Sequence, residues 1–169
     1  GHTASLAGDW DASCAAVRQV ADWHAMGLRL RVSVNISMGN LDDLGFPDFV
    51  ADETAKAGLP LSSLVLEVTE SRVMQDPLMP LDILTRLRLK HIGLSIDDFG
   101  TGHSSLRMLT GLPIDVLKID RSFVRDLTSN RSNRLIVQTT IGLALSLGLK
   151  TVAEGVETIE QLEMLQDLG

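Results

Sequence analysis

Apolar positions along the chain follow two alternating patterns, one with the period of a helix and one typical of buried strands. Apolar residues three and four positions apart predict helices over residues 6–26, 46–58, 80–90, 133–148 and 158–169, with a short helix near 104–109. Runs rich in valine, isoleucine and leucine predict strands over residues 29–37, 63–70, 92–97, 115–120 and 149–155. Strands separated by helices indicate right-handed βα units and therefore a parallel sheet.

Polar residues collect where the predicted strands end. Each strand carries ionisable or amide side chains at or just beyond its carboxyl end, and these are Asn35, Glu67, Glu70, Asp97, Asp98, Lys118, Asp120, Glu154 and Glu157. In a (β/α)8 barrel such ends meet around one rim, whereas in a doubly wound sheet they meet only at a switch point. The strand pattern alone leaves both architectures open, but the recurrence at every strand end favours the barrel.

The length of the chain limits how much of a barrel is present. A complete (β/α)8 barrel takes about 250 residues, with about 200 near the lower limit, and the chain has 169 residues. We therefore expect an α/β fold of the (β/α)8, or TIM, type, present as an incomplete barrel of about five βα units.

Composition narrows the class of partner and the compartment. The net charge of −7 and the pI near 5.0 argue against a protein that binds long nucleic acid through its phosphates. The single cysteine, Cys14, cannot form an internal disulfide and fits a reducing compartment. The longest nearly apolar run, residues 141–149, is about half of the ~18 residues that a membrane span needs. We expect a cytoplasmic segment without membrane contact, even where a parent protein is membrane-anchored.

The residues at the strand ends offer hard oxygen ligands. Amide and carboxylate oxygens suit Mg²⁺ or Mn²⁺, whereas the four histidines lack the spacing of a zinc site. The adjacent Asp97 and Asp98 can bind two ions about 3.5–4 Å apart with one carboxylate bridging. Lys118 can orient an attacking water or neutralise charge, and Glu154 can accept the proton of that water.

Each of these residues also has a purely structural explanation. Asn35 alone is typical of a strand-end cap, Glu67 of a solvated position, and Lys118 of a side chain that reaches solvent. The aspartate pair can cap the turn that follows it, and acids near a helix start satisfy the helix dipole. The recurrence of such residues at every strand end favours a common site over these separate explanations.

Five sequence segments carry a resemblance to a known family. They are VNIS (34–37), LEVTES (66–71), IDDFGTGHSSL (96–106), LPIDVLKIDRSFV (112–124) and VAEGVETIEQL (152–162). In order and spacing they resemble the EAL domain of cyclic di-GMP phosphodiesterases, from about residue 6 to the last residue. The resemblance implies a modified (β/α)8 barrel that hydrolyses cyclic di-GMP to linear pGpG with Mg²⁺ or Mn²⁺ in bacterial second-messenger signalling.

The resemblance also implies a role for each matching residue. Asn35, Glu67 and Asp97 resemble the ligands of a first metal ion. Asp97 would bridge to a second ion that Asp98 also binds, and Lys118 resembles the lysine that holds the attacking water. Further matches are Glu154 as second-metal ligand or general base, Glu70 as the anchor of the loop after Asp98, and Asp120 and Glu157 as residues near the substrate.

The chain departs from the family pattern in three places. It has no counterpart of the glutamate in the name-giving Glu-Ala-Leu strand, and no closing glutamine-glycine-tyrosine motif. His103 stands where the family has tyrosine, which adds a group that titrates near neutral pH. We therefore expect residues 1–169 to form a partial EAL domain that lacks both ends of the barrel.

Partners follow from the same resemblance. The loop of residues 99–105 is associated in the family with dimerisation and coupling, so a homodimer is expected, with sensor, receiver or GGDEF domains in the parent chain. Two other functions stay open. The chain can be an inactive receptor for cyclic di-GMP or an interaction domain, because the first-metal glutamate is missing. It can also be an unrelated metal-dependent barrel enzyme acting on a phosphorylated or enolisable substrate.

Overall fold

A computed structural model describes residues 7–75, 78–101 and 109–169. Strands and helices alternate along these residues. In chain order they are α1 (Ala7–Ala25), β1 (Val32–Asn35), α2 (Met38–Leu41), α3 (Phe46–Lys56), a 3₁₀ turn (Leu61–Ser63), β2 (Leu64–Thr69), α4 (Glu70–Gln75), α5 (Leu78–Leu89), β3 (Gly93–Phe99), β4 (Val116–Ile119), α6 (Arg121–Arg125), α7 (Arg131–Ser146), β5 (Lys150–Ala153) and α8 (Ile159–Leu168).

The five predicted strands and the five longer predicted helices are confirmed. The strands form one sheet in the order β1-β2-β3-β4-β5, and the pairs β1–β2, β3–β4 and β4–β5 are parallel. This order follows the chain without the reversal that defines a doubly wound sheet. The short helices α2, α4 and α6 were not predicted, because four to six residues are too few to show a helical period. The short helix predicted near 104–109 falls mainly on residues outside the described part.

Contacts divide the chain into two compact units, one of Gly1–Val68 with Gln75–Leu94 and the other of Thr69–Met74 with Ser95–Gly169. In the first unit, Val17 and Val20 of α1 are buried against Leu59. In the second, a buried cluster joins β4 to α6 and α7 and consists of Ile119, Val124, Leu127, Val137 and Ile141. Within the described residues, no helix combines the length and apolar character needed to cross a membrane.

Four helices end in the same hydrogen-bonded motif, a Schellman turn that needs one residue in the left-handed backbone region. At α1, α3 and α7 that residue is Gly27, Gly58 or Gly148, with φ of 85°, 70° and 70°. At α5 it is His91, with φ of 63°. The two bonds are present there: the amide of His91 donates to the carbonyl of Arg88 (2.9 Å), and that of Ile92 to Leu87 (3.2 Å). Since a side chain in this conformation is strained, α5 ends at some cost in stability.

Replacing His91 by glycine is expected to stabilise the protein. The change removes the left-handed strain at an exposed residue and is expected to raise the free energy of unfolding by about 0.5–1 kcal/mol. Urea unfolding measures this difference. Gly58→Ala is the matched reverse change, because an added Cβ there has no atom within 4 Å and only the backbone strain should lower stability. Equal stability of wild type and His91→Gly would contradict the prediction.

Candidate metal centre

A bulge in β3 places two adjacent carboxylates opposite one lysine. Ile96 pairs with Leu117 and Phe99 with Ile119, so Asp97 and Asp98 together face the single residue Lys118 on β4. Neighbouring residues of a regular strand point to opposite faces, and a bulge changes that alternation. Asp98 adopts the left-handed region, with φ of 56°, which aspartate tolerates better than most residues. Both carboxylates can therefore serve the same site.

Lys118 supplies the positive charge that the adjacent acids require. Its Nζ lies 3.1 Å from Oδ1 of Asp97 and 2.6 Å from Oε1 of Glu154, which follows β5. The lysine and Asp97 side chains are only 13% and 14% exposed, so water screens this contact less than it would an ion pair on the surface. The amide of Asp98 also donates to Oδ1 of Asp97 at 3.1 Å.

Three carboxylates converge beside this lysine. One oxygen from each of Asp97, Asp98 and Glu154 can be chosen so that all three lie within 4.8 Å of one another. Carboxylate oxygens at such separations suit a hard divalent cation such as Mg²⁺ or Mn²⁺. The donor set of the second compact unit therefore fits a metal ion, and its geometry explains why the sequence places two aspartates side by side.

The pKa values of the neighbouring acids Asp98 and Asp120 are shifted in opposite directions. The pKa of Asp98 is raised, first by burial and then by the negative charges of Asp97 and Asp120. Burial also acts to raise the pKa of Asp120, but hydrogen bonds from Ser122 and from Asp98 outweigh it and lower the pKa. Without a cation, Asp98 is therefore the acid of this pair that holds a proton more readily.

The end of β3 is tied to the start of α4. Oε2 of Glu70, a residue only 1% exposed, accepts a hydrogen bond of 2.8 Å from the amide of Gly100. Gly100 has φ of 97°, and a Cβ there would lie 3.0 Å from Cε2 of Phe123. Glu70 thus fixes the first residue after the strand. The rest of the loop, residues 102–108 with His103, lies outside the described residues.

A polar cavity of about 590 Å³ lies beside the acidic cluster in the second unit. Asp120 lines it and also caps α6, where its Oδ1 accepts from the amide of Ser122 at 2.9 Å. Glu157 lines the same cavity, as do Arg121 and Arg125. The two acids were predicted from the sequence, but the two arginines were not, although their spacing of four positions directly after Asp120 was the available signal.

Asn35 is the last residue of β1, and Glu67 lies on the neighbouring strand β2, two residues before its end. They are register partners in the parallel pair β1–β2, and the amide of Ile36 donates to the carbonyl of Glu67 at 3.0 Å. Glu67 is 7% exposed, whereas Asn35 is exposed. Their share in the metal centre stays a prediction from the sequence resemblance.

Together, the sheet and the acidic cluster define a class: an α/β protein of barrel type with a candidate divalent-metal centre at the carboxyl ends of its strands. The EAL domain model matches residues 13–169. The chain therefore belongs to the EAL domain family, and the resemblance of its five sequence segments is confirmed.

Several similar proteins are named as cyclic di-GMP phosphodiesterases or have structures with cyclic di-GMP bound. The cyclic di-GMP phosphodiesterase NbdA of Pseudomonas aeruginosa is 44% identical over 153 residues, which cover 90% of this chain and 20% of that protein. The structure of the MucR phosphodiesterase of the same organism with cyclic di-GMP matches with a TM-score of 0.88 and 42% identity, covering 96% of this chain and 66% of that one. BlrP1 of Klebsiella pneumoniae with manganese and cyclic di-GMP matches with a TM-score of 0.89 and 29% identity, covering 100% and 43%.

These relatives are much longer proteins. The chain spans about a fifth to a quarter of the length of the curated relatives that it matches. The activity and partners of the whole protein are therefore taken up as proposals.

Proposed function

We propose that the chain carries the catalytic residues of a metal-dependent phosphodiesterase that hydrolyses cyclic di-GMP to linear pGpG in bacterial second-messenger signalling. The observation that carries this proposal is the convergence of Asp97, Asp98 and Glu154 within 4.8 Å, with Lys118 in contact with two of them. Membership of the EAL family and relatives that bind or cleave cyclic di-GMP supply the substrate.

The chain would hold two ions, Mg²⁺ or Mn²⁺, with the ligands that its resemblance to the EAL family implies. Asn35, Glu67 and Asp97 would hold the first ion, and Asp97 and Asp98 the second. A bound divalent pair would polarise the phosphoryl oxygen and ease deprotonation of water. Manganese in the related BlrP1 complex supports this choice of metal, and the acidic cluster offers the hard oxygen donors that such ions need.

Hydrolysis would open one phosphodiester bond of the ring. The Nζ of Lys118 would donate a hydrogen bond to the attacking water, and Glu154 would accept its proton or serve as a ligand of the second ion. The water oxygen then bonds to phosphorus and the ribose 3′-oxygen leaves, taking up a proton. Because only one of the two linkages is cut, the product is linear pGpG with a terminal 5′-phosphate.

Three further residues would position the loop or the substrate without binding a metal ion. Glu70 would hold the start of the loop after Asp98 through Gly100. Asp120 and Glu157, which line the polar cavity, would lie near the bound dinucleotide. We further propose a cytoplasmic catalytic segment within a longer protein, a homodimer formed through the loop after Asp98, and sensor, receiver or GGDEF domains as regulatory partners.

The experiment is a turnover assay on the full-length protein. The protein is incubated with cyclic di-GMP and Mn²⁺, and pGpG is followed by chromatography. We expect cleavage by wild type and by Glu163→Gln, an exposed change on α8, and loss of cleavage in Glu67→Gln. A folded wild type that binds cyclic di-GMP without cutting it would overturn the proposal and indicate a receptor.

A further inference from the structure

Gln161, in the first turn of α8, is a buried polar residue whose side-chain amide forms three hydrogen bonds. It is 6% exposed. Its Oε1 accepts from the amides of Glu157 at 2.8 Å and Thr158 at 3.0 Å. Its Nε2 donates to the carbonyl of Arg125 at 3.1 Å. A glutamine amide can form four hydrogen bonds, and three of them are made here.

Helix capping explains only part of this arrangement. Thr158 and Gln161 form a capping box, in which the hydroxyl of Thr158 accepts from the amide of Gln161 and Oε1 of Gln161 accepts from the amide of Thr158. Glutamate serves equally well at the second position of such a box. The bond from Nε2 to Arg125 is different, because it spans 36 residues and a carboxylate cannot donate it.

That bond joins the two segments that flank the acidic cluster. On one side is the loop of residues 154–158, which begins with Glu154. On the other is α6, which Asp120 caps and whose last residue is Arg125. The segments also approach closely at a second point: Gly155, with φ of 69°, leaves no space for a side chain, because an added Cβ would lie 2.8 Å from Cβ of Arg121.

We infer that Gln161 is a positioning residue that holds Glu154 and Glu157 in register with α6. The Nε2 bond fixes α6, while the Oε1 bonds fix the amides of residues 157 and 158. The loop that starts at Glu154 is thus held against α6 at Gly155 and again at Gln161. Loss of the Nε2 bond should let Glu154 leave the oxygen cluster that it shares with Asp97 and Asp98.

Two substitutions separate positioning from capping. Gln161→Glu keeps the capping box and, when ionised, places a carboxylate oxygen against the carbonyl of Arg125. Thr158→Ala removes the cap hydroxyl and leaves the Nε2 bond intact. We expect Gln161→Glu to weaken Mn²⁺ binding about 10-fold, as changes in groups that orient metal ligands do, and to lower Tm at least as much as Thr158→Ala, because a buried carboxylate would face a carbonyl oxygen. Thr158→Ala should lower Tm by about 2–4 °C and leave the Mn²⁺ dissociation constant unchanged.

The measurements are Mn²⁺ titration by calorimetry and thermal unfolding in EDTA at pH 8, both on the full-length protein. Gln138→Glu, the same chemical change at an exposed position of α7, controls for the added charge. If Gln161→Glu binds Mn²⁺ as tightly as Gln138→Glu, or if affinity falls in step with Tm in both test variants, the inference is wrong.

The inference rests on the proposed function for the identity of the metal site, and the two can fail separately. A wild type that binds Mn²⁺ but leaves cyclic di-GMP intact contradicts the proposed function alone. Turnover by wild type with equal Mn²⁺ affinity in Gln161→Glu contradicts the inference alone. A wild type that binds no Mn²⁺ contradicts both.

Discussion

Asp97→Asn should lower kcat/KM for cyclic di-GMP by at least about 10³-fold, because metal stabilisation of the transition state supplies several kcal/mol and each ~1.4 kcal/mol is tenfold in rate. The change keeps the shape of the side chain and removes one negative charge. Asp97 contacts Lys118 at 3.1 Å and belongs to the acidic cluster. The substitution would therefore weaken ion binding and release one contact of the lysine.

Asp82→Asn is the matched control for this prediction. It makes the same chemical change at a side chain that is 49% exposed and paired with Arg86 on α5. Steady-state kinetics over a range of Mn²⁺ concentrations would show whether excess metal restores part of the loss. If a folded Asp97→Asn protein keeps the kcat/KM of the wild type, the carboxylate of Asp97 is not needed for the reaction and the metal centre as proposed is refuted.

The sequence predicted β2 and β3 well because these two strands are buried along most of their length. Residues 64–68 of β2 and 93–96 of β3 are all buried, and such strands appear in a sequence as short apolar runs. Strand ends were less accurate: β1 was predicted over 29–37 but spans Val32–Asn35. The apolar run begins before the paired residues of β1, and Leu30 in that run is 45% exposed. The end of a strand is set by backbone pairing and not by hydrophobicity.

The candidate site was predictable in composition but not in geometry. A positive group beside Asp97 and Asp98 follows from their repulsion, and Lys118 is that group. The bulge in β3 brings both acids to one site. It interrupts the alternation of side chains between the two faces of a strand, so the two-residue period of a strand does not predict it. The tie of Glu70 to Gly100 spans 30 residues and was predicted only through the family resemblance. The tie of Gln161 to Arg125 spans 36 residues, and no periodic pattern in the sequence indicates such a pair.

Lys118→Met should combine the second large loss of activity with a loss of stability. Removal of Nζ leaves Asp97 and Glu154 without the cation that they contact at 3.1 and 2.6 Å. We expect kcat to fall by about 10²–10³-fold, the usual contribution of a group that handles the attacking water. Because the pair is only partly buried, we expect the free energy of unfolding at pH 8 in EDTA to fall by about 2 kcal/mol, less than for a fully buried pair.

The pH dependence of the Lys118→Met loss gives the sharpest test. The pKa of Asp98 is already raised in the wild type by burial and by the charge of Asp97. A carboxyl group whose pKa is raised by folding lowers the stability of the protein at any pH high enough to ionise it. Without Nζ the repulsion is stronger, so the stability gap between variant and wild type should widen from pH 5 to pH 8. Mn²⁺ added at pH 8 should narrow it, because an ion would replace the lost charge. Lys150→Met, at an exposed position of β5, should show neither effect. A gap that stays constant with pH, or that Mn²⁺ leaves unchanged, would mean that Lys118 does not balance the charge of these carboxylates.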